Sequence, residues 1–377
     1  MKENELKKYT SIYSSNTLAA SGNQFIFHPE KGEIITSRVF YKIFKGGKYN
    51  YSLLFTNIID STFSDGSISE KNRICPEWKI IDARVGKCLD IPQKPLSEMT
   101  VSDDGEGENA DINARGFLPL TFRGERGKTV GKGEVFWSDP ITLDFKKDEY
   151  LCLELTFSGE ELPCHEESQI PIFVKKNGEW KYCVHSPLPS MIGCDRPVEK
   201  RIAYFGDSIT QGIGVKQNSY LHWNALLSER WGEENAYWNL GLGFGRAADA
   251  ASDGIWMEKA KTNDICLVCF GVNDLCRYSA EEIKNNLRLT VEKLKEAKVK
   301  VLLQTVPPFD YSGEVAENWR NVNQYITRVL SEKVDTVFQL TEFLSDDNSP
   351  IAKFGGHPNE EGCAIWAENL YRFIKNK

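Results

Sequence analysis

Between residues 200 and 377 short apolar strands alternate with helical segments, and this alternation constrains the chain more than any other feature. The strand KRIAYFGDS leads to a helix near SYLHWNALLSERWG. The strand AYWNLGLG precedes a helical segment at residues 246–260, and DICLVCFGVND leads to a helix opened by Ser279. Glu282 stands three residues after Ser279, the spacing of a capping box. Ile283, Leu287, Val291 and Leu294 then recur at helical spacing. The strand KVLLQTVPP, a helix carrying Trp319, Val322, Ile326 and Val329, a short strand TVFQL and a last helix from Pro358 complete the series. Strands alternating with helices in this way predict a parallel sheet covered on both faces.

The first half reads differently. From residue 24 to about 185 the apolar segments are short, β-branched or aromatic, as in EIITSRVFYKIF, YNYSLLFTNII and YLCLELTF. Turn signals such as FKGGKY, FSDGS and KKNGEW separate them, and no amphipathic helix emerges. That pattern predicts an all-β sandwich of the jelly-roll type. The acidic, Gly-rich stretch at residues 97–116 reads as a solvated loop, without the ordered oxygen spacing of a calcium site. The stretch PLPSMIGCDRPVEK, residues 187–200, is the expected boundary, giving domains at 1–194 and 195–377.

Charge narrows the partners. Lys plus Arg number 46 against 54 Asp plus Glu, a formal charge of −8. That balance argues against a general nucleic-acid or anionic-membrane binder. No apolar run approaches the ~20 residues that span a bilayer, and the opening MKENELKKYTSIYSS lacks the apolar core of a signal peptide. A cytoplasmic location is the expectation. Of ten cysteines, Cys266 and Cys269 form a C-x-x-C inside the apolar run ICLVCF. No second pair completes a zinc set, so buried free thiols are expected.

In an open parallel sheet, ligands bind beyond the carboxyl ends of the strands. The successive strands here run into Gly206-Asp207-Ser208, then Gly241-Leu242-Gly243-Phe244-Gly245, then Gly271-Val272-Asn273-Asp274, and finally Gly355-Gly356-His357-Pro358-Asn359. A hydroxyl, a glycine-rich turn, a side-chain amide and an imidazole reach one edge. These are a nucleophile, backbone donors, a side-chain donor and a base, the set acyl transfer requires. Each alone is weak: Ser208 precedes helical sequence, so helix capping is its structural alternative. His28, His165 and His185 lie in the first half, with nothing in the sequence to bring them near Ser208. His222 reads as packing. Arg246 and Asp274 read equally as substrate contacts or as partners of their neighbours.

The blocks FGDSIT, NLGLGFGR, GVND and HPNEEG resemble those of the SGNH (GDSL-type) esterases and acylhydrolases, in the family's order over residues 200–377. The resemblance implies a flavodoxin-like three-layer α/β/α hydrolase domain. It implies Ser208 as nucleophile and His357 as general base. It also implies an oxyanion hole from the Ser208 N–H, a glycine N–H of the second block such as Gly243, and the Asn273 side chain. The first half resembles, in shape and placement only, the β-sandwich of some carbohydrate-directed members.

Two positions depart from the family pattern. The Asp usual three residues before the histidine is replaced by Phe354, leaving Asp346 and Asp347 as the nearest upstream carboxylates to orient the imidazole, or a backbone carbonyl in a dyad. The usual oxyanion glycine, five residues after Asn239, is replaced by Phe244. The reading is a two-domain serine esterase that needs no metal or organic cofactor. Its expected substrate is a small molecule or oligosaccharide ester, a short acyl group such as O-acetyl on a carbohydrate. A lipid acylhydrolase or thioesterase, or a catalytically weak carbohydrate-binding protein, are the alternatives.

Overall fold

The computed structural model describes residues 6, 10–61, 71–88, 114–166, 169–344, 351 and 356–377. Most of the acidic stretch at 97–116 thus lies outside the described residues, as do Asp346, Asp347 and Phe354.

Between residues 24 and 185 the described residues form strands and turns and no helix. A five-stranded antiparallel sheet is built around Gly47–Thr56, and a seven-stranded one around the trio Ile35–Lys42, Tyr150–Gly159 and Trp78–Cys88. Period-two alternation sorts the side chains of Tyr150–Gly159. Leu151, Leu153 and Leu155 enter the main core, while Tyr150 and Cys152 join Phe40, Phe173 and Tyr182 in a second apolar cluster on the opposite face. Phe25–Phe27, Leu162–Glu166 and His185–Ser186 make a third, smaller sheet.

The second half is a five-stranded sheet with every pair parallel. Its order is Ala236–Asn239, Arg201–Gly206, Ile265–Cys269, Lys300–Gln304, Thr336–Phe338, or 2-1-3-4-5 in chain order. That is the flavodoxin-like arrangement. Helix Trp223–Trp231 packs on helix Glu360–Lys375, where Trp223 and Trp366 stack at 4.7 Å. Helices Ala280–Glu296 and Gly313–Arg328 pack together as a separate pair, so the sheet is the middle of three layers. The Ser279–Glu282 capping box is formed as the spacing predicts. Cys266 and Cys269 are buried free thiols.

Two local expectations are corrected. The segment at 246–260 is two helices, Ala247–Ala250 and Ile255–Lys261, not one. The break lies where Asn72 from the first half donates to Ser252 Oγ at 3.1 Å and to the Asp253 carbonyl at 3.0 Å, against a Gly254 with no room for a Cβ. Val329 does not continue the buried face of its helix: it is 42% exposed, and Leu330 in the following 3₁₀ turn is buried instead.

One apolar core runs through both halves. Phe44 meets Tyr237 edge-on at 5.5 Å, and Trp238 Nε1 donates to the Ser190 carbonyl at 2.8 Å. Within the expected linker, Met191–Cys194 is a buried strand paired to Gly47–Thr56. We retain 1–194 and 195–377 as proposed domains, the parallel sheet starting at Arg201. Among the described residues no helix is long and apolar enough to cross a membrane.

Candidate active site

The strand Arg201–Gly206 lies between the second and third strands of the parallel sheet, so its carboxyl end is where the strand order reverses. Gly206 makes the turn possible because a Cβ there would collide with Thr210 Oγ1 and lie 2.6 Å from the Cys269 carbonyl. Asp207 follows in extended conformation and caps the short helix Ser208–Gln211, its Oδ1 accepting from the Ile209 N–H at 3.0 Å. Because Asp207 takes the capping role, the Ser208 hydroxyl is not used inside its own helix. Ser208 Oγ instead lies 2.9 Å from His357 Nε2.

His357 is held from several directions. Gly356, at φ 76°, packs directly on Phe309, whose ring meets the imidazole edge-on at 5.0 Å. Gly214, at φ 110°, closes the other side, since a Cβ there would lie 3.1 Å from His357 Cβ. Asn359 then caps helix Glu360–Lys375 by accepting from the Gly362 N–H at 3.0 Å. Asp346 and Asp347, the sequence candidates for orienting the imidazole, lie outside the described residues.

The second block forms a tight turn after Ala236–Asn239. Gly241 donates its N–H to Asn239 Oδ1 at 2.9 Å, Leu242 to the Gly206 carbonyl at 3.1 Å, and Gly245 to the Leu242 carbonyl at 3.0 Å. Phe244, at the position the family gives to glycine, keeps the left-handed backbone with φ 58° and leaves its ring 45% exposed. Asn273 Nδ2 donates to the Gly245 carbonyl at 3.0 Å and so ties the third block to the second. Asp274 accepts from the Ala247 and Ala248 N–H groups at 3.0 and 3.3 Å, fixing the start of helix Ala247–Ala250. Burial pushes the carboxyls of Asp207 and Asp274 up to about 7 each. Arg246 is buried, 3.4 Å from Asp249. Asp274 and Arg246 therefore pair with neighbours.

A group of polar residues that no sequence motif marks lies directly behind this edge. Gln211, at the end of the Ser208 helix, donates to Gln24 Oε1 at 3.2 Å, and its Nε2 lies 3.5 Å from His165 Nε2. His165 thus reaches the helix that begins at Ser208, contrary to the sequence expectation. Sequence separations of 187 and 46 residues left no local signal for these contacts. His222 is wholly buried packing, with burial pulling its imidazole down to about 4. A cleft of about 520 Å³ lies in the antiparallel half between Phe27, Phe157 and His185, and neither Ser208 nor His357 lines it.

The model of the GDSL-like Lipase/Acylhydrolase family matches residues 204–365. No curated protein matches the chain. Among solved structures, a member of the lipolytic protein G-D-S-L family from Veillonella parvula is 18% identical over 47% of this chain and 99% of its own, with a TM-score of 0.41. A putative lipolytic protein of the same family from Desulfitobacterium hafniense is 22% identical over 46% of this chain and 98% of its own, at 0.39. A family two carbohydrate esterase from Clostridium thermocellum, solved with cellohexaose, is 11% identical over 97% of this chain and 98% of its own, at 0.41. Residues 204–365 of this chain are thus similar to the GDSL-like lipase/acylhydrolase family, which supports the reading of that part as a serine hydrolase acting on ester bonds.

Proposed function

We propose that Ser208 and His357 form the catalytic pair of an esterase that removes a short acyl group, such as O-acetyl, from a carbohydrate. The observation that carries this reading is the 2.9 Å approach of Ser208 Oγ to His357 Nε2 at the carboxyl edge of the sheet. In the proposed reaction Ser208 Oγ attacks the ester carbonyl while its proton passes to His357 Nε2. The tetrahedral intermediate collapses, its C–O bond to the alcohol breaks, and His357 returns the proton to the departing oxygen. Water then attacks the acyl-serine with His357 again as base, releasing the carboxylic acid and restoring Ser208.

The oxyanion is assigned to the Ser208 N–H, the Gly243 N–H and the second Nδ2 hydrogen of Asn273, the first being given to Gly245. Gly243 is the glycine of that block to which the family resemblance points. Support for a short acyl group comes from the packing behind the nucleophile. Phe205, Trp256 and Phe270 interlock edge-on at 4.7–5.6 Å and are fully buried, which leaves no slot there for a long chain. The carbohydrate alcohol is inferred from the β-rich first half, which resembles in shape and placement the sandwich of some carbohydrate-directed members of the family.

The test compares p-nitrophenyl acetate with the octanoate ester, and acetate release from acetylated oligosaccharides. Fast turnover of acetate, loss on octanoate, and loss of all activity in Ser208→Ala are expected. Preference for the long chain would turn the reading toward a lipid acylhydrolase, and retained turnover in Ser208→Ala would remove the nucleophile.

A further inference from the structure

One of the places where the first half reaches the catalytic edge is the segment Gly22–Asn23–Gln24. Gly22 packs on block two of the hydrolase domain, where a Cβ would lie 2.8 Å from Leu242 Cδ2. Asn23 is fixed within the first half, its N–H on Asp60 Oδ2 at 2.9 Å and its side-chain amide on the Thr56 and Ile58 carbonyls at 2.6 and 2.8 Å. The Gln24 N–H donates to the Cys164 carbonyl at 2.8 Å. Gln24 therefore projects from backbone whose own hydrogen bonds are made within the first half.

Its side chain lies between two parts of the candidate oxyanion site. Gln24 Oε1 accepts from Gln211 Nε2, on the helix that begins at Ser208. Gln24 Nε2 occupies the space where a Cβ on Gly243 would stand, and Gln211 Oε1 lies 3.3 Å from that same point. The two amides thus flank the Gly243 Cα. Gln211 is supported from behind by His165, whose Nδ1 lies 2.7 Å from the Gly22 carbonyl. A carbonyl only accepts, so Nδ1 carries the proton and Nε2 offers its lone pair to Gln211. Burial keeps this imidazole neutral, its pKa pulled down to about 4. Gln24, His165 and Gln211 are each at most 4% exposed, where a lost hydrogen bond leaves polar atoms that water does not readily reach.

We propose that Gln24 is a positioning residue for the ester hydrolysis: it clamps the Gly243 turn against the Ser208 helix, so that the active site is completed by the antiparallel half. This rests on the catalytic reading above. The clamp acts on where the oxyanion donors stand, so it affects transition-state stabilisation more than substrate binding.

The experiment uses the full chain with Gln24→Met and Gln211→Met, which keep volume and remove the bond, and the double variant. On p-nitrophenyl acetate each single variant is expected to lower kcat by roughly 10–100-fold with KM within about 3-fold, since a single oxyanion donor is worth about 10²–10³. The double variant should lose no more than the worse single one, because both act through one bond. Amide exchange at residues 241–245 should rise in each. Multiplicative losses in the double variant, an effect confined to KM, or unchanged exchange with unchanged kcat would overturn the clamp. Should Gln24→Met fail to fold, Gln211→Met on the other side of the bond carries the same expectations. Ser208→Ala, run alongside, reports on the nucleophile separately. Activity surviving there would remove the catalytic reading, while the exchange data would still decide whether Gln24 holds the turn.

Discussion

Lys259 Nζ lies 2.7 Å from both carboxylate oxygens of Asp60, and neither side chain is more than 1% exposed. The lysine belongs to helix Ile255–Lys261 of the hydrolase domain, whereas Asp60 belongs to the antiparallel half. Ser190 Oγ at 3.1 Å takes another lysine proton, and the Asn23 N–H satisfies the carboxylate. Burial pulls the lysine pKa down, and the Asp60 charge opposes that shift. The pair is thus a fully desolvated charge contact between the two halves.

Breaking such a pair on one side leaves an uncompensated buried charge, at about 3–5 kcal/mol. Lys259→Met and Asp60→Leu should each lower stability by about that much in urea unfolding. The double variant should lose less than either alone, since no charge is then stranded. Near-neutral single variants would mean that water reaches the pair.

The same contact bears on whether residues 201–377 fold alone. Removing the first half would strip Tyr237 of Phe44, Trp238 of the Ser190 carbonyl and Lys259 of Asp60. Asn239, which shapes the block-two turn, would lose the Leu18 carbonyl at 3.4 Å. The fragment 201–377 is expected to be insoluble, or to lack a cooperative unfolding transition by circular dichroism. A fragment unfolding as cooperatively as the full chain would show that this contact surface contributes little.

Much of the hydrolase domain was legible because its signals are local. Strand ends followed by glycine, the Ser279–Glu282 capping box and the 3.6-residue stripe of Ile283, Leu287, Val291 and Leu294 all operate within a few residues. The approach of Ser208 to His357 was legible through the fold class, which brings strand ends together, and through the family resemblance of the blocks that carry the two residues. The Gln24–Gln211–His165 group was not legible. Buried glutamine and histidine carry no periodic signature, and what makes them adjacent is the packing of one half on the other. The break at Gly254 was hidden for the same reason, since Asn72 lies 182 residues away in sequence.

Asn273 offers a test of the oxyanion site. Its Nδ2 already donates to the Gly245 carbonyl, which fixes the amide plane and aims the remaining N–H. Asn273→Ala should lower kcat by roughly 10²–10³ with a much smaller change in KM, because that bond strengthens as the oxyanion forms. Asn273→Asp should be at least as damaging, since a carboxylate supplies no donor and repels the developing charge. An effect on KM alone would assign Asn273 to ground-state binding.

Asp274 gives a prediction in pH. Its carboxyl is fully buried and its pKa is pushed up to about 7, from 3.8 for an ordinary aspartate, chiefly by desolvation. The Ala247 and Ala248 N–H groups and the Arg246 charge partly offset that rise, while Asp249 adds to it. Between about pH 4 and pH 7 the folded chain therefore holds a proton that the unfolded chain has released. Stability from this group is complete below pH 4 and is lost as pH rises through 7. Asp274→Asn keeps an acceptor for the Ala247 N–H and removes the titration. The wild type should be the more stable of the two near pH 4.5, and its advantage should shrink or reverse by pH 7.5. Thermal unfolding of both proteins across that range measures the difference, and a constant offset would show that Asp274 does not change its protonation between the folded and unfolded states there.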